Sequence, residues 1–290
     1  MKKSKDYNSQ DKHLAIRNPL LNIINVILLA MILLIIFVPL FIVVSMSFKT
    51  KIEYATGSLF RLPHNFLNFQ NFIGVFQKAK LLTGFKNVLY LCLVSVTGSV
   101  IMGLMVSYVL TRFKFGLKKF ILPLFLIAAT IPGLTIQVAL FQIIKSMHLF
   151  NTIFAGMILY LGTDIIQIYI FMQFISKIPY ELDESAMLDG CSYFRIFRSI
   201  IIPQMKPAIA TVVILKVLGI YNDIYIPYLY MPKSDLRTVS TAILNLSQNK
   251  YFDWTLMCAG ILTVMLPTLI LYLFFQKYII SGITDGAVKL

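Results

Sequence analysis

Apolar residues run in six long blocks along the 290-residue chain, separated by shorter polar breaks. Residues 20–48, 87–111, 120–144 and 254–276 contain no charged side chain. Residues 152–176 carry only Asp164, and 207–232 carry Lys216 and Asp223. About 20 predominantly apolar residues of helix cross a ~30 Å hydrocarbon layer. Backbone groups in lipid must pair within their own segment, which makes these blocks helices. The pattern therefore predicts an all-α polytopic membrane protein with six transmembrane helices. The first block is too long for a cleaved signal peptide, and no small-residue cleavage site follows it. Prolines 39, 123, 132, 227 and 267 fall inside the blocks. Pro132–Gly133 marks either a break or a bent, packed helix.

Composition agrees: 58% of residues are hydrophobic and 13% charged, with a mean hydropathy of +0.81. A soluble domain is nearer half apolar and about 25% charged. The net charge of +14 does not signal nucleic acid, because the basic residues sit mainly in the breaks. The break "RFKFGLKK" at 112–119 has four basic residues, whereas 145–151 has only Lys145. The positive-inside rule places 112–119 in the cytoplasm. The N-terminal tail 1–19, the loop 177–206 and the C-terminal tail 278–290 are then cytoplasmic, and loops 49–86 and 233–253 are outside. Cys92, Cys191 and Cys258 are scattered, as are His13, His64 and His148. No disulfide framework or metal site is expected from them.

The segment "ELDESAMLDG" at 181–190 holds Glu181, Asp183, Glu184 and Asp189, four of the chain's twelve acidic residues. Pro179 suits the first turn of a helix, and the acids that follow suit its positive end. Asp189–Gly190 is a helix stop, since Gly adopts the left-handed conformation there. A second helical pattern follows, with Phe194 and Phe197 on one face and Arg195 and Arg198 on another. Pro203 and Pro207 end it. Two readings fit this helix–turn–helix: a charged loop lying on the membrane surface, or an element that docks into a partner.

The residues Glu184, Ser185, Ala186, Asp189, Gly190, Cys191, Phe197, Ile200, Pro203 and Pro207 resemble the "EAA" loop of ABC-importer permeases. Ser185 and Cys191 stand where Ala is usual; both are small. "VPLFIVVSMSFKT" at 38–50, "SYVLTRFKF" at 107–115, "YNDI" at 221–224 and "GITDGAVKL" at 282–290 resemble stretches of the carbohydrate branch. Ser107 there replaces Ala, Tyr221 replaces Trp, and Leu290 replaces Gly. The chain thus resembles a maltose-type sugar permease.

That resemblance implies a type I ABC-importer transmembrane fold, with the transmembrane type-1 domain at 83–277, in a bacterial cytoplasmic membrane. It implies no covalent chemistry and no cofactor on this subunit, with ATP and Mg on a partner ATPase dimer. A second permease subunit and an extracellular sugar-binding protein complete the implied complex. Glu184, Ser185, Ala186, Asp189 and Gly190 become the implied ATPase-docking residues, with Glu184 meeting a basic partner group and Ala186 allowing close approach. The ten-residue first helix would be roughly 15 Å long.

Ionisable residues at membrane depth usually face a bundle interior or a pathway. At ~1.5 Å per residue, Asp164 and Lys216 fall at similar depths. They either pair between adjacent spans, or Lys216 snorkels while Asp164 faces water. Tyr221, Asn222 and Asp223, with Tyr225, Tyr228 and Tyr230 nearby, are candidates for a sugar route. Tyrosines also anchor membrane interfaces. A permease for a peptide, amino acid or glycerol phosphate remains the alternative, because the acidic loop alone fits those equally. A stand-alone transporter or channel would not need the acidic loop, and a membrane enzyme lacks a paired catalytic cluster.

Overall fold

The computed structural model describes residues 19–248 and 253–287, with side chains described for 22–248 and 253–276. The basic tail 1–18 lies outside the described residues, as does the end of the "GAVKL" terminus. Among the described residues every regular element is helical.

The first span is α1, Pro19–Phe48. Its side chains between residues 22 and 44 are almost all exposed, as expected of a helix whose solvent is lipid. A short helix α2, Lys51–Thr56, follows at once. Thr50 and Glu53 form a capping box: the Thr50 hydroxyl accepts from the Glu53 amide, and the Glu53 carboxylate accepts from the Thr50 amide. Helix α3, Gln70–Lys78, completes this end. Lys49 is buried beside it, with Nζ donating to the Ser58 carbonyl at 3.1 Å.

The second span, α4, runs continuously over Leu81–Arg112, with one π-type turn at Cys92–Val96. The third, fourth and fifth expected spans are broken. The third divides into α5, Lys118–Thr130, and α6, Gln137–Ser146, so of the two arrangements open at Pro132–Gly133 the structure holds the break rather than the bent helix. The fourth divides into α7, Ile153–Leu161, and α8, Ile165–Ser176, bent by 46°. The acidic segment forms α9, Glu181–Leu188. Then α10, Tyr193–Gln204, meets α11, Lys206–Asn222, at 76°. A short α12, Tyr225–Tyr230, ends the fifth block. Helix α13, Val239–Ser247, precedes the last span, α14, Trp254–Ala287.

Among the described residues three of these helices are long and apolar enough to cross a membrane, and the number rises to five if each bent pair is one span. The divided third block does not qualify, so the sequence count of six is not matched by continuous helices. Three sequence expectations also change in detail. Helix α9 has eight residues rather than ten, because it starts at Glu181, leaving Pro179 before the helix rather than in its first turn, and ends at the expected Asp189–Gly190 stop. The fifth block breaks after Asn222 rather than running to 232. The expected C-terminal tail is helical through Ala287, so Gly282 and Gly286 lie within α14.

The main core joins α4, α7, α8, α9, α10 and α11. It includes Leu91 and Tyr108 from α4, Phe171 and Ile175 from α8, Ala186 from α9, and Ile196 and Ile201 from α10. A second cluster packs Val75, Leu81, Ile243, Leu246 and Leu256 at the end carrying α3 and α13. Helix α5 buries no side chain.

Candidate functional site

The contact between α4 and the fourth span is built from small residues four positions apart. Ser95, Ser99, Gly103 and Ser107 share one helix face. Ser95 Oγ donates to the Met157 carbonyl at 3.0 Å, Ser99 Oγ to Gly162 at 3.0 Å, and Ser107 Oγ to Ile168 at 3.2 Å. Small residues let membrane helices approach closely, and hydroxyls bond across the gap. Gln167 fills the space above Gly103: its Nε2 donates to the Ser99 carbonyl at 2.7 Å, and its Oε1 accepts from Ser99 Oγ at 3.0 Å. The sequence reading did not find this ladder, although its spacing is visible in the chain.

The bend between α7 and α8 places Asp164 at a helix start rather than mid-helix. Its Oδ1 accepts from the Gln167 amide at 2.8 Å, the usual N-cap bond. Its Oδ2 lies 3.1 Å from Lys216 Nζ on α11. The same ammonium donates to the Gly162 carbonyl at 2.8 Å. Of the two arrangements open from sequence, the structure holds the ion pair.

Asp164, Lys216 and Asp223 line one cleft between the fourth span and α11. Its volume is about 460 Å³, within the usual range for small-molecule sites. Asp223 Oδ2 accepts from the Tyr160 hydroxyl at 2.8 Å, and Oδ1 accepts from the Tyr225 amide at 2.7 Å. Tyr221 and Asn222 do not join this cleft. Successive helical residues point about 100° apart, so three consecutive side chains cannot share one wall. Tyr221 is buried, with its hydroxyl donating to the Val264 carbonyl at 2.7 Å. Asn222 faces a separate hollow lined by Ser240 and Thr268. Tyr230 is buried too, donating to Gln137 Oε1 at 2.7 Å.

The acidic segment closes in a hairpin. The Cys191 amide donates to the Ala186 carbonyl at 2.9 Å and the Gly190 amide to Met187 at 3.0 Å, the paired bonds of a Schellman stop. Gly190 has φ +79°, a conformation that costs other L-residues strain. Ser192 then starts α10 by accepting from the Arg195 amide.

The hairpin's acids divide between two roles. Asp183 turns inward: its Oδ2 lies 2.9 Å from Arg112 Nε, and both side chains are under a tenth exposed. Arg112 Nη2 also donates to the Ile178 carbonyl at 2.9 Å, and the guanidinium stacks over Tyr180. Burial pushes the Asp183 carboxyl above its ordinary value, and the Arg112 charge opposes that. Rings continue the seam from Phe197 to Tyr108, Phe113 and Tyr193. Glu184, Ser185, Asp189 and Gly190 are exposed, whereas Ala186 is only 7% exposed. The expected role of Ala186 therefore changes: its small side chain lets α9 approach this chain's own core. Leu188, which the sequence reading passed over, is 90% exposed.

Residues 95–285 match the family model of the binding-protein-dependent transport system inner membrane component. The chain belongs to that family. Two bacterial relatives span most of this permease component. It is 31% identical over 252 residues to a probable starch degradation products transport system permease protein of Thermoanaerobacterium thermosulfurigenes, covering 87% of this chain and 91% of the relative. It is 30% identical over 258 residues to the melibiose/raffinose/stachyose import permease protein of Bacillus subtilis strain 168, again covering 87% and 91%. Among solved structures, a chain of a bacterial ABC transporter involved in import of the acidic polysaccharide alginate superposes with a TM-score of 0.77. That match has 20% identity and covers 89% of this permease component and 96% of the other chain. The shared fold is that of an ABC-importer transmembrane subunit in the inner membrane. The family is the membrane component of the importer rather than its catalytic subunit.

Proposed function

We propose that this chain is one of two permease subunits of an ATP-driven importer that carries a sugar or oligosaccharide across the cytoplasmic membrane. Six passages, with both termini in the cytoplasm, place the hairpin Glu181–Arg198 on the cytoplasmic face. There Glu184, Ser185, Leu188, Asp189 and Gly190 meet an ATPase dimer, which holds the ATP and Mg. A binding protein delivers the sugar from outside. Both relatives are named for carbohydrate substrates or starch products, which supports the substrate class.

One observation carries the mechanism: the hairpin shares a hydrophobic core with the helices that wall the cleft. Ala186, Ile196 and Ile201 pack in the same cluster as Phe171 and Ile175 of α8 and Val212 of α11. Cores are close-packed and transmit displacement rather than absorb it. Movement of the docked hairpin therefore moves the cleft walls, which exposes the cleft to alternate sides of the membrane. The test is ATP-dependent uptake by the complete complex in proteoliposomes, with a panel of neutral and acidic oligosaccharides, peptides and amino acids. Uptake of sugar alone supports the proposal; uptake of peptide or amino acid in its place overturns it.

A further inference from the structure

The charges along the cleft bear on the charge of what passes through it, an inference that rests on the sugar-importer reading above. Among the described lining residues one ammonium, Lys216, faces two carboxylates, Asp164 and Asp223, a net side-chain charge of −1.

Lys216 is engaged within the protein. An ammonium carries three donor protons, and this one already serves the Gly162 carbonyl at 2.8 Å and Asp164 at 3.1 Å. Its side chain is 15% exposed, while that of Asp164 is 54% exposed. The open side of the pair is thus the carboxylate. Among the described residues Asp223 forms no ion pair. It is held by the Tyr160 hydroxyl and by the amides of Tyr225 and Ile226.

We propose that this cleft accepts neutral oligosaccharides and disfavours those bearing uronate carboxylates. A sugar hydroxyl donates, and the cleft offers carboxylate oxygens to receive it. A sugar carboxylate needs an unengaged cation, and it meets net negative charge where the surrounding protein and lipid screen poorly. The alginate importer shares this fold at 20% identity, and fold alone does not carry its acidic cargo to this chain.

The experiment uses the complete importer in detergent, without its binding protein, so that the selectivity measured belongs to the membrane subunits. It is titrated with a neutral maltooligosaccharide and with an oligouronate of equal length, read by saturation-transfer NMR and calorimetry. The neutral ligand is expected to bind about tenfold more tightly or better, a margin that corresponds to ~1.4 kcal/mol. Asp223→Asn should narrow that margin by relaxing the exclusion of uronate. Asp164→Asn, which keeps a capping oxygen and releases Lys216, should do the same and serves if the first variant folds poorly. Equal or tighter uronate binding in the unmodified complex, abolished by Lys216→Met, overturns the proposal. Binding of neither ligand also overturns it, because the cleft is then no sugar site. The importer reading is decided separately by the uptake panel, whose failure with every sugar would remove the premise instead.

Discussion

Lys216 holds both edges of a broken span at once, through the Asp164 carboxylate at 3.1 Å and the Gly162 carbonyl at 2.8 Å. It fastens α11 to the hinge between α7 and α8. Lys216→Met should slow ATP-driven uptake about tenfold and lower stability by ~1 kcal/mol, a small figure because Asp164 is half exposed. Reversing both charges should restore transport only in part. A lysine at 164 can pair with an aspartate at 216, but it cannot accept the Gln167 amide that Asp164 now caps. Full rescue in the uptake assay would show that the cap is unimportant.

Arg112 and Asp183 tie the hairpin to the end of α4 as a buried pair. Removing one partner leaves the other charge buried, at a cost of about 3–5 kcal/mol. Arg112→Ala or Asp183→Ala should therefore lower Tm sharply and abolish transport. Replacing both with apolar residues should recover much of the stability. Thermal unfolding of the purified complex, measured for each single variant and the double, reads this directly.

Gly103 is a site of close approach. A methyl group there would overlap the Gln167 side-chain amide. Gly103→Ala should displace Gln167 from Ser99 and destabilise the α4–α8 contact by about 1–3 kcal/mol. An unchanged Tm would mean that Gln167 moves aside without cost.

The hairpin turn and its tip can be tested without touching the core. Gly190→Val places a branched side chain at φ +79°, a strain of roughly 1–2 kcal/mol. Leu188→Asp alters a side chain that is 90% exposed. Both variants should reach the membrane, and both should lose substrate-stimulated ATPase activity in the reconstituted complex. Full coupling in Leu188→Asp would exclude that residue from the docking surface.

The end carrying α2 and α3 should be acid-sensitive through Asp253. Burial pushes this carboxyl up, but bonds from Thr255, Lys51 and the Leu256 amide outweigh it and hold the carboxyl below 3.8. A carboxyl lowered on folding stabilises the protein above its unfolded value. That contribution falls away as pH drops from 3.8 through the lowered value. Below that window, Asp253→Asn and the unmodified protein should have the same Tm. Above it the unmodified protein should be more stable, as differential scanning fluorimetry across pH would show.

The helical class, the continuous first, second and last spans, and the Gly190 stop were all legible from periodicity, charge and turn chemistry. The broken spans were not, because hydropathy averages over a window and does not register a three-residue interruption. Gly162–Thr163–Asp164 contains the cue, an N-capping Asp after Gly, but inside an apolar block Asp164 reads as a buried charge. Similar depth brought Asp164 and Lys216 together correctly. Adjacency in sequence misled for Tyr221, Asn222 and Asp223, which a helix turns toward different neighbours. The inward turn of Asp183 needed tertiary knowledge, since its partner Arg112 is 71 positions away.

The carbonyl of Gly162 receives both Ser99 and Lys216, so three separate spans converge on a single backbone oxygen. No gene encodes that oxygen in particular, since every residue supplies one. A side chain added at position 162 meets nothing within 4 Å. A mutational scan would therefore score this position as permissive, and its importance would surface only as intolerance at Ser99 and Lys216, 63 residues before it and 54 after.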